Sequence, residues 1–135
     1  TMADAVTSQT IQDGERNLVM KFTNVSDGTG ESAVKKVDVS ALATNSKGQT
    51  CTKVKIQRIY WATVGMSVKL EFDATSNVLL IGLPADSTGD EYYDSFTGIP
   101  NNAGSGVTGD IDLTTTGHSS GDSYMIILEM IKEYD

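Results

Sequence analysis

The sequence is short of the residues on which much protein chemistry depends: one cysteine, one histidine, one tryptophan and two prolines among 135 residues. A lone Cys51 excludes an internal disulfide and any cysteine-based zinc cage. A lone His118 likewise excludes a multi-histidine metal centre. Basic residues are scarce too, since 10 Lys and Arg against 18 Asp and Glu leave a formal charge of -8. Nucleic-acid affinity rests on Lys and Arg neutralising phosphates, so nucleic acid is not expected as a partner. Long apolar runs are missing: Val78 to Leu83 is the longest, far below the ~20 residues that span a bilayer. Thr1 to Thr10 shows no basic region followed by an apolar stretch, so neither a membrane nor a secretory signal is expected.

What is present is ordinary for a folded domain. With 39% hydrophobic and 21% charged residues the chain is globular and not disordered. Area scaling for a chain of this size gives roughly 6,800 Å² exposed when folded and about 21,000 Å² unfolded, enough burial for one core. The expected division is an N-terminal arm over residues 1–12, poor in core signals, and a single domain over 13–135.

The pattern along the chain is one of strands and turns. Arg16 to Val25 alternates, with Leu18, Met20 and Phe22 facing one way and Val19, Lys21 and Thr23 the other. Val34, Val37 and Val39 predict a short strand. Thr50 to Val64 predicts a long one, with Val54, Ile56, Tyr60 and Ala62 on the face of Arg58 and with Ile59 and Trp61 on the outer face. Gly65 marks a break or bulge before Met66 to Phe72, so the two form either a hairpin or a bent continuous strand. Val78 to Leu83 is apolar on both faces, as in a strand covered on both sides. Asp86 to Gly109 is a long Gly, Ser, Asn and Asp loop with Tyr92, Tyr93, Phe96 and Ile99 embedded in it. Gly109 to Thr116 is a strand with Ile111 and Leu113 inward. Ser123 to Tyr134 closes the chain, with Tyr124, Ile126, Leu128 and Met130 on one face and Met125, Ile127 and Ile131 on the other, which predicts a central strand. The fold class is all-β, an antiparallel β-sandwich of jelly-roll-like or immunoglobulin-like type with one long Gly/Asn-rich loop.

No catalytic constellation emerges, and neither an enzyme nor a cofactor is expected. His118 with Ser119 and Asp122 lies in one small turn, where a rigid triad is seldom built. The carboxylates Asp86, Asp90, Glu91 and Asp94, and the pair Asp110 and Asp112, lack EF-hand spacing and predict a solvated acidic surface. Gly104, Gly106 and Gly109 are followed by no lysine and open no helix, so they predict a flexible or tightly turned loop and not a phosphate cradle. Cys51 is expected to be a small buried hydrophobe. Two groups have the character of contact surface: Ile59 with Trp61 on the long strand, and Tyr92, Tyr93, Phe96 and Ile99 in the acidic loop. A register change or a covering loop would instead turn them inward.

Several stretches resemble small virion structural proteins of tailed bacteriophages. These are Asp13-Gly14-Glu15-Arg16-Asn17-Leu18-Val19-Met20, Phe22-Thr23-Asn24-Val25-Ser26-Asp27-Gly28-Thr29-Gly30-Glu31 and Val37-Asp38-Val39-Ser40. The stretch Gly98-Ile99-Pro100-Asn101-Asn102-Ala103-Gly104-Ser105-Gly106-Val107-Thr108-Gly109-Asp110-Ile111 and the turn Gly117-His118-Ser119-Ser120-Gly121-Asp122 are similar in the same way. The resemblance implies a non-enzymatic decoration (cement) protein on the capsid exterior, assembled in the host cytoplasm. It implies the major capsid protein as partner and a homo-oligomer, with a trimer favoured. A carbohydrate- or receptor-binding module and a head–tail or tail component are the alternative functions.

Overall fold

Leu18, Met20 and Phe22 are buried and Val19, Lys21 and Thr23 between them are half-exposed, so the period-two pattern of this segment becomes a strand with one face in the core. The same logic repeats along the chain in the computed structural model, which describes residues 4–93 and 98–134. Nine strands form among these residues. They are β1 (Ala5–Asp13), β2 (Asn17–Val25), β3 (Val34–Val37), β4 (Lys53–Val64), β5 (Ser67–Phe72), β6 (Val78–Leu83), β7 (Thr88–Tyr92), β8 (Ile111–Thr116) and β9 (Ser123–Glu133). A single 3₁₀ turn at Val39–Ala41 follows β3.

All strand pairs are antiparallel, in two sheets ordered β1-β2-β9-β4-β7 and β3-β8-β5-β6. Setting β1 aside, β2 pairs with β9, β3 with β8, β4 with β7 and β5 with β6, each pair enclosed by the one before. That nesting is the winding of a jelly roll, and it decides between the two sandwich types expected. Leu18, Phe22, Ile126 and Leu128 of one sheet and Leu70, Phe72, Ile111 and Leu113 of the other are at most 1% exposed and belong to one core. The accessible surface is 6689 Å², close to that expected of one domain of this mass. As expected, β9 is central: Tyr124, Ile126, Leu128 and Met130 are buried, while Met125, Ile127 and Ile131 stay half-exposed on the outer side.

The structure differs from the reading of the sequence in several places. The long strand β4 does not keep one alternation. Its register with β9 shifts between Ile56 and Arg58, so Gln57 is an extra residue and every later side chain changes face. Val54 and Ile56 point inward before the bulge and Ile59 and Thr63 after it, leaving Arg58, Tyr60 and Ala62 outside. Between β4 and β5 the chain makes a corner from one sheet into the other, and not a hairpin. Gly65 takes φ 80 there, and a Cβ on it would meet the Asp122 carboxylate within 2.1 Å. β6 is an edge strand, not one covered on both sides, and Leu79 is 56% exposed. The polar loop also contains a strand, β7, which extends the five-stranded sheet beyond β4. The segment expected as an arm supplies β1, paired along its length with β2 and without a buried residue.

The bulge makes a direct prediction. Ile59→Ala should lose about 2–5 kcal/mol of stability, the usual cost of emptying a core site. Tyr60→Ala should lose less than about 1 kcal/mol, as a half-exposed surface change. Urea unfolding of the two variants measures this, and equal losses would place the register shift elsewhere.

Candidate interaction face

The inversion in β4 assembles a surface on the outside of the five-stranded sheet. Cross-strand registers place Thr23, Met125, Ala62 and Thr88 in one row and Lys21, Ile127, Tyr60 and Asp90 in the next. A third row holds Val19, Glu129, Arg58 and Tyr92. Met125, Ile127, Tyr60, Ala62 and Val19 are all half-exposed, so the middle of the face is an open apolar band between polar edges. A hollow of about 220 Å³ at its lower end, lined by Gln12, Arg16, Asn17, Gln57, Glu129 and Ile131, is smaller than the ~300–1,000 Å³ of small-molecule pockets. The geometry suits broad contact with another surface.

Arg58 organises one side of this face. Its Nε and Nη2 donate to the two carboxylate oxygens of Asp90 at 2.7 and 2.8 Å, and its Nη1 donates to Glu129 at 2.6 Å. The guanidinium carbon also lies 4.7 Å from the centre of the Tyr92 ring. One cation thereby ties β7, β4 and β9 together. The hydrogen bonds to Asp90 and Glu129 raise the pKa of Arg58, and the Arg58 hydrogen bond lowers that of Asp90.

Of the six contact residues expected, Tyr92 is at the surface, 57% exposed. Ile59 is fully buried in the core and offers no surface at all, because the β4 bulge turns it inward. Trp61 is partly buried against the core, with its Nε1 donating to Ser87 Oγ at 3.1 Å and its ring over Gly89. A Cβ at Gly89 would come within 2.3 Å of that ring, so β7 approaches closely only because position 89 has no side chain. Tyr93 packs against the core, and burial raises the pKa of its hydroxyl. Ile99 also packs inward, exchanging backbone hydrogen bonds of 3.0 and 2.9 Å with Ile56. Phe96 and Asp94 lie outside the described residues. Tyr92 and Tyr93 therefore form no common stacking platform.

Elsewhere the carboxylates hold the fold together. Glu31 accepts from Asn24 Nδ2 at 2.8 Å and from Tyr124 Oη at 2.6 Å, and it pairs with buried Lys36 at 2.6 Å. Burial, reinforced by the Glu31 carboxylate, pushes the Tyr124 hydroxyl well up. Asp4 and Asp13 fasten the two ends of β1. Burial opposes ionisation of Asp4, but donation from Asn24 and from the backbone of Asp27 and Gly30 outweighs it and holds the pKa down at about 2. Asp13 pairs with buried Lys132, whose ammonium also donates to Ala43 O at 3.0 Å.

Asp110 and Asp112, expected to be solvated, are 4% and 5% exposed. Asp110 pairs with Lys35 at 2.9 Å and accepts from Val39 N at 2.9 Å. Asp112 is raised to about 6 by burial and by the neighbouring Asp73, with which it shares a hydrogen bond. His118 is a half-buried turn residue with Nδ1 3.1 Å from Thr115 Oγ1, and Cys51 is a core residue at 2% exposure. Among the described residues no three His, Cys, Asp or Glu side chains are placed to hold a metal ion, and no helix is long and apolar enough to cross a membrane. The chain matches no protein family, no curated protein and no solved structure.

Two outcomes test this electrostatic account. Arg58→Leu should leave the domain folded but speed amide exchange at Thr88–Tyr92 relative to β2 and β9, read by hydrogen-exchange mass spectrometry. For Asp112, a raised carboxyl pKa means that stability is fully present below about 3.8 and is lost as pH rises through about 6. Asp112→Asn should therefore exceed the native chain in stability by about 1–2 kcal/mol at neutral pH and match it near the acid end. Urea unfolding across that pH range gives the comparison.

Proposed function

We propose that this chain is a non-enzymatic structural protein of a tailed-bacteriophage virion. Its place is the outer capsid surface, as a decoration or cement protein bound to the major capsid protein. The observation that carries this reading is the open outer face of the five-stranded sheet, where Val19, Tyr60, Ala62, Met125 and Ile127 form an apolar band rimmed by charge. A band of this kind suits flat contact across a seam between subunits, and many copies on one particle multiply a modest single contact. The resemblance of the segments around Asp13 to Glu31 and Gly98 to Ile111 supports the same assignment. The formal charge of -8 is consistent with a position away from packaged DNA.

The test is the place of the chain on the particle. Immunogold electron microscopy of virions should label the head exterior. In reconstitution on heads lacking the protein, Met125→Glu combined with Ile127→Glu should cut occupancy at least about tenfold, because two central contacts would become buried charges. Label confined to the tail, or unchanged occupancy of the double variant, overturns the proposal.

A further inference from the structure

The four-stranded sheet ends in an edge that carries a bulge at Leu80 but neither charge nor proline. β6 reads Val78-Leu79-Leu80-Ile81-Gly82-Leu83, without a charge or a proline, and no described strand lies beyond it. Natural sheets guard open edges with charges, bulges or prolines, because unpaired N–H and C=O groups template further pairing. The other edges carry such guards; β6 has its bulge at Leu80 and no charge or proline. β3 carries Lys35 and Lys36, β7 carries Asp90 and Glu91, and β1 is broken by a bulge at Ile11. On β6, Leu80 and Ile81 pack against the core, while Leu79 stands 56% exposed.

The shape of this edge matches itself. Leu80 is an extra residue in the pairing with β5, so Leu79 and Gly82 share the outer face, opposite Glu71 and Lys69 respectively. Leu79 is a knob and Gly82 a notch, for a Cβ on Gly82 would meet nothing within 4 Å. The notch opens into a shallow hollow of about 440 Å³ whose walls include Leu79, Val68, Leu83 and Pro84.

We propose that two copies of this chain join through β6, paired antiparallel about a two-fold axis that sets Leu79 of each copy against Gly82 of the other. Each knob then fills a notch, and the half-covered Leu80 and Ile81 gain a neighbour. The same register sets Glu71, Leu79, then Gly82 and Lys69 of the second copy along one row, so the charges stay one strand away from the joined edges. A chain carrying -8 repels its copies over most of its surface, and the uncharged β6 is where that repulsion is least. The inference stands independently of the virion assignment, and it predicts a dimer where the resemblance favours a trimer.

Sedimentation equilibrium of the full chain should show a concentration-dependent dimer. One strand pair buries less than the ~1,600 Å² of a standard interface, so dissociation is expected in the micromolar range. Leu79→Lys and Gly82→Lys each alter an exposed site with room for the new side chain, so both should keep the native circular dichroism spectrum. Each should weaken dimerisation at least about tenfold. The register has its own readout: a mixture of Leu79→Cys and Gly82→Cys chains should oxidise to a cross-linked heterodimer faster than either chain alone, against a low background from buried Cys51. A monomer or trimer at all concentrations, a dimer untouched by both lysine variants, or equal cross-linking of the single chains overturns the proposal.

Discussion

One extra residue in β4 governs the molecule. Backbone pairing with β9 runs from Lys53 to Val64, and the slip at Gln57 lets one strand serve two alternations in sequence. Before it, Val54 and Ile56 fill the core beside Met130; after it, Ile59 fills the core beside Leu128. Without the slip, Arg58 would be driven into an apolar interior, at a cost no local pairing there offsets. With it, Arg58 emerges where Asp90 and Glu129 can bind it, and β7, which has no buried residue of its own, gains a reason to stay. The outer face, the docking of β7 and the inward turn of Trp61 all follow from that single insertion.

The charge of the chain is similarly directed. Most carboxylates described above accept backbone or lysine donors that join one segment to another. Asp4 and Asp13 fasten the ends of β1, Glu31 links β2, β9 and Lys36, and Asp110 joins Lys35 to the 3₁₀ turn. The exception is Asp112, which stands beside Asp73 and is held against ionisation. An acidic composition thus serves cohesion in most places and works against it in one.

Much of the fold was legible in the sequence, and the failures share a physical cause. The alternations of Leu18, Met20 and Phe22, of Ile111 and Leu113, and of Tyr124 through Met130 mark true core faces, because each strand contributes one face without interruption. The central place of β9 was legible from apolar residues on both sides. β1 and β7 were not, since edge strands held by backbone bonds and surface carboxylates carry no apolar period. Ile59 and Trp61 were assigned to the wrong face because a bulge at a glutamine leaves no compositional sign. On β6 the two-faced apolarity was real but its expected cause was not: Leu79 is bare in the single chain. Of the contact residues expected, Tyr92 is at the surface. The open band of Met125, Ile127 and Tyr60 was missed, because Met125 and Ile127 were read only as the mark of a central strand and Tyr60 lay beyond the slip.

The central position of β9 also sets the order in which this molecule can come into being. Leu18 and Met130 sit side by side in one sheet, yet nearly the whole chain separates them. During synthesis β1 and β2 can pair as a hairpin, but its inner edge and the long flank of β4 stay open until β9 arrives. Contacts between residues so distant in sequence form slowly, and exposed strand edges invite pairing with other nascent chains. For this jelly roll, β9 is the strand that seals the sheet, so a chain cut before Ser123 would be an open half-sheet and not a smaller folded domain.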